Sequence, residues 1–368
     1  MTKPENNIHG AVALYLEHLG MPVEAIHQVG EGFHATGLDI RLENGTHLFL
    51  RQMHPLEFGH DLPGDRIKAV LETVHELPFS LKTHGILGIT EDNTVTNIPK
   101  LKEVLILSEF LPSGAKNFCE NLRKPTSTHE EACALASSIE PKTQIMGETM
   151  AEIHKTQYWG PTEAAKSLYK RSTRAVIHND ELTAGVGDLD MMDFKRIDWM
   201  GHEDFVRLLA DMERARQAIG THPERLRQIH GDYWVNNLYF DQNDTIIVTD
   251  GRLNWGEPGI DAGWMVGEYL MQDLLRFGHM NDAFTSVAQN AMNTYRAITG
   301  DTNIYYFMGL PYAFQAFAEA VFTPNISSQQ RRLLVATAVG TLQDTKLGIP
   351  FDFSMLNTYT ARGLELLK

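Results

Sequence analysis

The sequence predicts an α+β chain in which a small β-rich lobe precedes a larger helical one. Three observations carry this reading. Between about residues 26 and 111 short β-like runs alternate with turn signals, and from about residue 129 onward apolar residues recur at helical spacing. A single β-like island near 238–250 interrupts the helical texture. No repeat at the roughly 20–50-residue period of solenoids and propellers occurs. At 368 residues, 43% hydrophobic and 21% charged, the composition is that of an ordinary globular protein with room for one large domain or two typical ones. The boundary falls in the polar stretch that begins near Ala115, giving an N-terminal lobe of 1–114 and a helical lobe of 115–368.

Taken in order, Ala25–Val29 and Thr36–Leu42 are strands flanking Gly30-Glu31-Gly32-Phe33-His34-Ala35. Glu43-Asn44-Gly45 is an Asn-Gly turn of the type I′ kind, which folds Leu42–Leu50 back as a third antiparallel strand. Ile67, Val70, Leu71 and Val74 recur at helical spacing and predict a helix over Arg66–Leu77, started by Pro63-Gly64-Asp65. Val104–Leu111 is a buried strand ended by Pro112-Ser113-Gly114. The polar segment 115–142 yields no element. Gly147–Gln157 and Glu203–Ile219 read as amphipathic helices, and the chain after Asp261 reads as helices broken at Gly278, Gly300, Pro311 and Pro324.

Charge and cysteine content narrow the function. Lys and Arg number 32 against 47 Asp and Glu, a formal net charge of −15, which argues against binding nucleic acid or an anionic membrane and favours small cationic partners. Cys119 and Cys133 are the only cysteines, too few for a disulfide framework or a four-thiolate zinc site, and the expected location is the cytoplasm. No basic start leads into an apolar run of about 7–15 residues, so no signal peptide is expected. The apolar segments Tyr305–Phe322 and Leu333–Leu342 are interrupted and fall short of a roughly 20-residue span.

The stretch from Ile229 to Gly251 carries the chemistry. Asn237–Asp241 and Ile246–Thr249 are strand-like across the polar turn Gln242-Asn243-Asp244-Thr245. A symmetric turn would set Asp241 opposite Ile246, Phe240 opposite Ile247 and Asn237 opposite Asp250. An amide oxygen beside a carboxylate suits a hard cation such as Mg²⁺, which takes one or two carboxylates and completes its shell with substrate phosphates. Asp232, on the loop before the hairpin, could accept a proton from a hydroxyl attacking the phosphate. Gly231 permits a sharp loop, and the His230 imidazole can pin that loop to main chain.

In this order His230-Gly231-Asp232, Asn237, Asp250 and Gly256-Glu257-Pro258-Gly259-Ile260-Asp261 resemble the signature of the aminoglycoside phosphotransferase and choline kinase family, small-molecule kinases with a protein-kinase-like two-lobed fold. The resemblance runs from about residue 26 to 265. It implies that Asp232 orients or deprotonates the acceptor hydroxyl, that Asn237 and Asp250 hold Mg²⁺, and that Asp261 braces the catalytic loop, with His230 in support. Gly30 and Gly32 resemble the loop that covers the phosphates of ATP or GTP, Arg51 the phosphate-binding cation, and Glu109 to Leu111 the hinge that reads the base. Arg51 stands where many members carry Lys, and its acidic partner is one of Asp65, Glu72 and Glu76, with Glu72 preferred. Arg252 is an added candidate for phosphate or acceptor contact, and Asn236, beside Asn237, leaves the register open by one residue.

The implied activity is transfer of the γ-phosphoryl of ATP or GTP to a small-molecule hydroxyl. A cationic, aminoglycoside-like or choline-like acceptor is favoured by net acidity and by Trp234, Trp255 and Trp264; a sugar of the methylthioribose or fructosamine kind is the alternative. A non-catalytic pseudokinase and a metal-dependent phosphohydrolase are the competing classes. His154 and His230 read as satisfied structural histidines. The aromatic run Tyr305–Phe322 reads as helical core, and Glu268, Asp273 and Glu319 as solvated carboxylates of the type that would line a cationic acceptor pocket.

Overall fold

The computed structural model describes residues 12–14, 16–31, 35–53, 77–89, 95–96, 103–177, 200–251, 255–323 and 325–367. These form two compact units, Met1–Ala115 and Lys116–Lys368. Gly32, Asp65, Glu72, Glu76, Arg252, Pro324 and nearly all of the helix expected at Arg66–Leu77 lie outside the described residues.

The first unit is built on a six-stranded antiparallel sheet. Its strands are β1 (Val23–Glu31), β2 (Ala35–Leu42), β3 (His47–Met53), β4 (Thr83–Ile89), β5 (Val95–Thr96) and β6 (Glu103–Glu109), in spatial order β1-β2-β3-β6-β4-β5. Alternation in β2 and β3 sends Leu38, Ile40, Leu42, Leu48 and Leu50 to one face, where they bury against Leu107 and the helical residues Val12 and Leu16. The β2–β3 turn is not type I′. Leu42 donates to Thr46 O and Gly45 donates to Leu42 O, both at 2.9 Å, so three residues form the loop, and only the last, Gly45 at φ +82°, is left-handed.

The second unit begins with β7 (Lys116–Asn117) and α1 (Phe118–Leu122), followed by the long α2 (His129–Ile153). The segment that yields no element from sequence is therefore helical in its second half. Thr128 Oγ1 accepts the Glu131 N–H, while the Glu131 carboxylate accepts the Thr128 N–H, a capping box that starts α2. Pro141 is accommodated inside the helix, and α2 stops at His154 rather than running to Gln157. Next come α3 (Thr162–Ile177), α4 (His202–Ile219) and the short strands β8 (Arg227–Gln228), β9 (Leu238–Phe240), β10 (Ile246–Val248) and β11 (Trp255–Gly256). β9 lies between β10 and β7, and β8 pairs with β11.

The remaining helices are α5 (Gly259–Phe277), α6 (Asp282–Thr299), α7 (Ile304–Phe322), α8 (Ser328–Thr345) and α9 (Leu356–Leu366). Gly278 and Gly300 end α5 and α6 in left-handed caps, at φ +73° and +70°. Pro311, expected to break a helix, instead lies within α7. The close approach of α5 makes room for its ring: a Cβ on Gly263 would sit 2.6 Å from Pro311 Cγ, and Gly259 and Gly267, one turn either side, meet Phe307 and Gln315 in the same way. Every residue of α5 from Gly259 to Leu274 is buried. Phe307, Tyr312, Phe314 and Phe317 are buried on α7, whereas Tyr306 is exposed. No described helix is long and apolar enough to cross a membrane.

Candidate active site

β8 leads directly into the His230–Asp232 loop, and β11 leads into α5, so pairing of Gln228 with Trp255 brings the loop beside the first turn of that helix. There the buried Asp261 carboxylate accepts the His230 N–H on Oδ2 at 2.8 Å and the Gly231 N–H on Oδ1 at 2.7 Å. A third partner is His154, whose Nε2 lies 2.9 Å from Asp261 Oδ2 while its Nδ1 faces Tyr295 Oη at 3.0 Å. A buried carboxylate is tolerated when its lone pairs meet such donors, and here they also fix two consecutive loop amides. Gly231 takes φ +78°, the left-handed conformation the turn needs.

His230 stitches the loop to the hairpin. Its Nδ1 accepts the Asp232 N–H at 3.2 Å, which leaves the proton on Nε2 to be donated to Thr249 O at 2.7 Å. Thr249 in turn donates its N–H and its hydroxyl to Asn237 O, at 2.9 and 3.2 Å. The hairpin register thus differs by one residue from the symmetric expectation: Ile246 faces Phe240, Val248 faces Leu238, and Thr249 rather than Asp250 meets Asn237. The cause is a three-residue turn. Asp241 pairs with Thr245, its carboxylate accepts the Asn243 and Thr245 N–H groups at 2.8 Å each, and Asp244 adopts φ +58°.

Asn237 closes a short 3-10 turn, Val235–Asn237, instead of starting a strand. Its buried Nδ2 donates to Asp232 O at 2.9 Å and to Asp232 Oδ2 at 3.0 Å, so its amide oxygen is the atom that remains able to coordinate a cation. Asn236 is engaged differently, with its carbonyl accepting Asn117 Nδ2 at 2.6 Å. Asp250 follows Thr249 at φ +60° with an exposed side chain. An amide oxygen and a carboxylate are both hard-oxygen donors, and of the two residues Asn237 is bonded directly to Asp232. Among the described residues no group of three or more His, Cys, Asp or Glu side chains is arranged around a metal position.

In the N-terminal unit Gly30 lies in β1 opposite Gly37, and Arg51 lies in β3 between Gly37 of β2 and Ile106 of β6. Glu109 ends β6, and its N–H is taken by Lys82 O at 2.8 Å. Leu111 follows just beyond the strand.

Three carboxylates expected to be solvated are not. Glu268 accepts from Arg123 at 3.1 Å and from Gln315 at 2.6 Å, Glu319 from Arg123 at 3.0 Å, and Asp273 caps α6 through the Phe284 and Thr285 N–H groups. Burial, and then the neighbouring Glu319 charge, push the Glu268 carboxyl up to about 8. Burial likewise lifts Asp273 to about 6. Sequence reasoning missed a second cluster, Arg225 with Glu257 and Asp301, because its members are far apart in the chain and no local pattern joins them.

The small antiparallel sheet followed by the larger helical part is the protein-kinase-like two-lobed arrangement. No protein-family model matches the sequence, and no curated protein does. Among solved structures the chain is similar to an amicoumacin kinase in complex with AMP-PNP, Ca²⁺ and Ami, at TM-score 0.51 and 10% identity over 97% of this chain and 100% of that one. A spectinomycin phosphotransferase in complex with ADP and spectinomycin aligns at TM-score 0.48 and 13% identity, covering 95% of this chain and 98% of that one. A choline/ethanolamine kinase family protein from Mesorhizobium loti aligns at 0.45 and 14%, covering 92% of each.

Proposed function

We propose that the protein is a phosphotransferase that moves the γ-phosphoryl group of ATP or GTP to a hydroxyl of a small molecule. The observation that carries this is the Asp232–Asn237 pair: the Asn237 side-chain amide holds the Asp232 carboxylate through its nitrogen, which leaves its own oxygen as an acceptor. In this reading Asp232 accepts the proton of the acceptor hydroxyl as its oxygen bonds to phosphorus and the bond to the departing nucleoside diphosphate breaks. Asn237 and Asp250 would hold Mg²⁺, which when bound supplies neutralisation of phosphate charge. Asp261, His154 and His230 hold the Asp232 backbone in place, and Gly30, Gly32, Arg51, Glu109 and Leu111 are the residues assigned to the nucleotide. Because the Glu109 N–H is engaged by Lys82, its contribution there would come from the carbonyl.

The acceptor is cationic if net charge governs, since −15 draws cations. A neutral sugar is favoured by a specific observation: Glu268, Asp273 and Glu319 are consumed by internal partners and do not offer an open anionic pocket. The test is calorimetric titration of ATP with and without Mg²⁺, on the wild type and on Asp250→Asn, followed by a mass-spectrometric acceptor screen with Asp232→Asn as control. A folded protein that binds neither ATP nor GTP would remove the basis of this reading.

A further inference from the structure

Three charge clusters in the helical unit have no part in the chemistry proposed above: Arg123 with Glu268 and Glu319, Asp211 with Arg214 and Lys346, and Arg225 with Glu257 and Asp301. The third is joined to the Asp232 loop through the backbone. Arg225 lies two residues before β8 and Glu257 directly after β11, so the pair closes the two-stranded ladder at the end opposite His230. Arg225 Nε donates to Glu257 Oε2 at 2.9 Å, and one terminal nitrogen donates to Oε1 at 2.6 Å. The other side of the fork reaches Asp301, with both terminal nitrogens 2.9 Å from its carboxylate oxygens, on the connection between α6 and α7. Phe307 of α7 stacks beneath the guanidinium, 4.2 Å from its central carbon to the ring centroid. Glu257 Oε1 also accepts the Gly259 N–H at 3.2 Å, so the carboxylate gripped by Arg225 in turn grips the first residue of α5. Asp261 is two residues further on.

We infer that Arg225 is a positioning residue for phosphoryl transfer: by bridging Glu257 and Asp301 it sets the start of α5, and through it the placement of Asp261 against the His230 and Gly231 amides. The inference rests on the kinase reading for its kinetic consequence, but not for its structural one. A planar fork is required, because two carboxylates approached from two sides of one cation cannot both be met in plane by an ammonium. Arg225 makes no bond to Asp232, Asn237 or Asp250 among the described residues, so it acts only through the ladder and the helix.

The experiment uses Arg225→Lys, Asp301→Asn and the double variant Arg225→Met/Glu257→Gln, the last because Arg225→Met alone would strand the buried Glu257 charge. ADP formation from Mg–ATP is measured with choline and with a fructosamine as acceptors, and hydrogen exchange is followed at the His230 and Gly231 amides. The expected result is a kcat loss of roughly 10- to 100-fold with KM for ATP within about twofold, faster exchange at both amides, and an intermediate Arg225→Lys. Folded variants with wild-type kcat and wild-type exchange would overturn the inference, as would equal losses in kcat and KM with exchange unchanged. If the wild type phosphorylates neither acceptor, the kinetic arm drops out without bearing on the functional reading, which ATP and GTP titration tests separately, and amide exchange alone decides: faster exchange supports the clamp and unchanged exchange refutes it.

Discussion

Asn237 gives its side-chain amide nitrogen to both the carbonyl and the carboxylate of Asp232, at 2.9 and 3.0 Å. The contact is directional, because an amide that donates on one side must present its oxygen on the other. Replacing Asn237 with Asp keeps the oxygen but removes the donor and sets two carboxylates against each other. Turnover should fall by more than about 100-fold, and a pH–rate profile should show the acid limb displaced upward, since like charge disfavours ionisation of Asp232. An unshifted profile would contradict the assignment of Asp232 as base.

Asp250→Asn is the cleaner probe of the metal. Asp250 sits at φ +60°, and Asn is the other non-glycine residue that readily enters the left-handed region, so the backbone should survive the change. The expected outcome is an unchanged thermal transition with a Mg²⁺ requirement raised by roughly an order of magnitude or more and turnover reduced by orders of magnitude. Circular dichroism and a Mg²⁺ titration of the rate would check the two halves.

Asp261→Asn should damage both stability and activity. An Asn side chain accepts through one oxygen only, so one of the two loop amides now bonded to Asp261 would face an amide N–H. A buried donor left without an acceptor costs about 1–3 kcal/mol. Urea unfolding should show that loss, and hydrogen exchange should locate it at His230 or Gly231.

Glu268 makes stability depend on pH. Its carboxyl is raised to about 8 in the folded chain by burial and by the Glu319 charge, well above the ordinary value of 4.5. The folded state therefore binds this proton more tightly than the unfolded state does. The stabilisation is fully present below about pH 4.5 and is lost as pH rises through about 8. Glu268→Gln should flatten that part of the pH–stability curve, so that the variant gains stability relative to the wild type as pH rises from about 5 to about 9. Parallel denaturation series across this window would decide it.

Gly263→Ala runs against helix propensity. Alanine in a helix is favoured over glycine by about 1 kcal/mol. Here its Cβ would lie 2.6 Å from Pro311 Cγ and 2.8 Å from the Met308 carbonyl, and α7 would have to move away. Overpacking of that kind costs roughly 1–3 kcal/mol, so the variant should melt lower, not higher.

The sequence disclosed features that are local and concealed those that depend on a distant partner. Alternation in Thr36–Leu50 and helical spacing after residue 129 identify the two kinds of lobe because each period is written in neighbouring residues. The run from His230 to Asp261 likewise keeps its order along the chain, so its candidates could be named before their hydrogen bonds were known. The start of α2 was also written locally, in Thr128 and Glu131, but Pro141 and the polar composition disguise the helix that follows. Pro311 looks like a helix end because the glycine that accommodates it belongs to another helix. The hairpin register turned on one left-handed residue, Asp244, whose conformation no pattern of hydrophobicity reports. Glu268 and Glu319 look like surface carboxylates until Arg123 is brought between them.

The burial of α5 has a consequence for the order in which the chain is made. Sixteen consecutive residues, Gly259–Leu274, bury on every side, yet the helix α7 that packs on its glycine face is encoded after it and ends only at Phe322. At roughly 5–20 residues per second, a ribosome leaves several seconds between finishing one and finishing the other. During that interval the helix that positions Asp261 exists without its cover, as an apolar segment open to the wrong neighbours. Slow translation across 278–322 should therefore lower the yield of native protein, even though none of the residues assigned to catalysis, metal or nucleotide lies in that stretch.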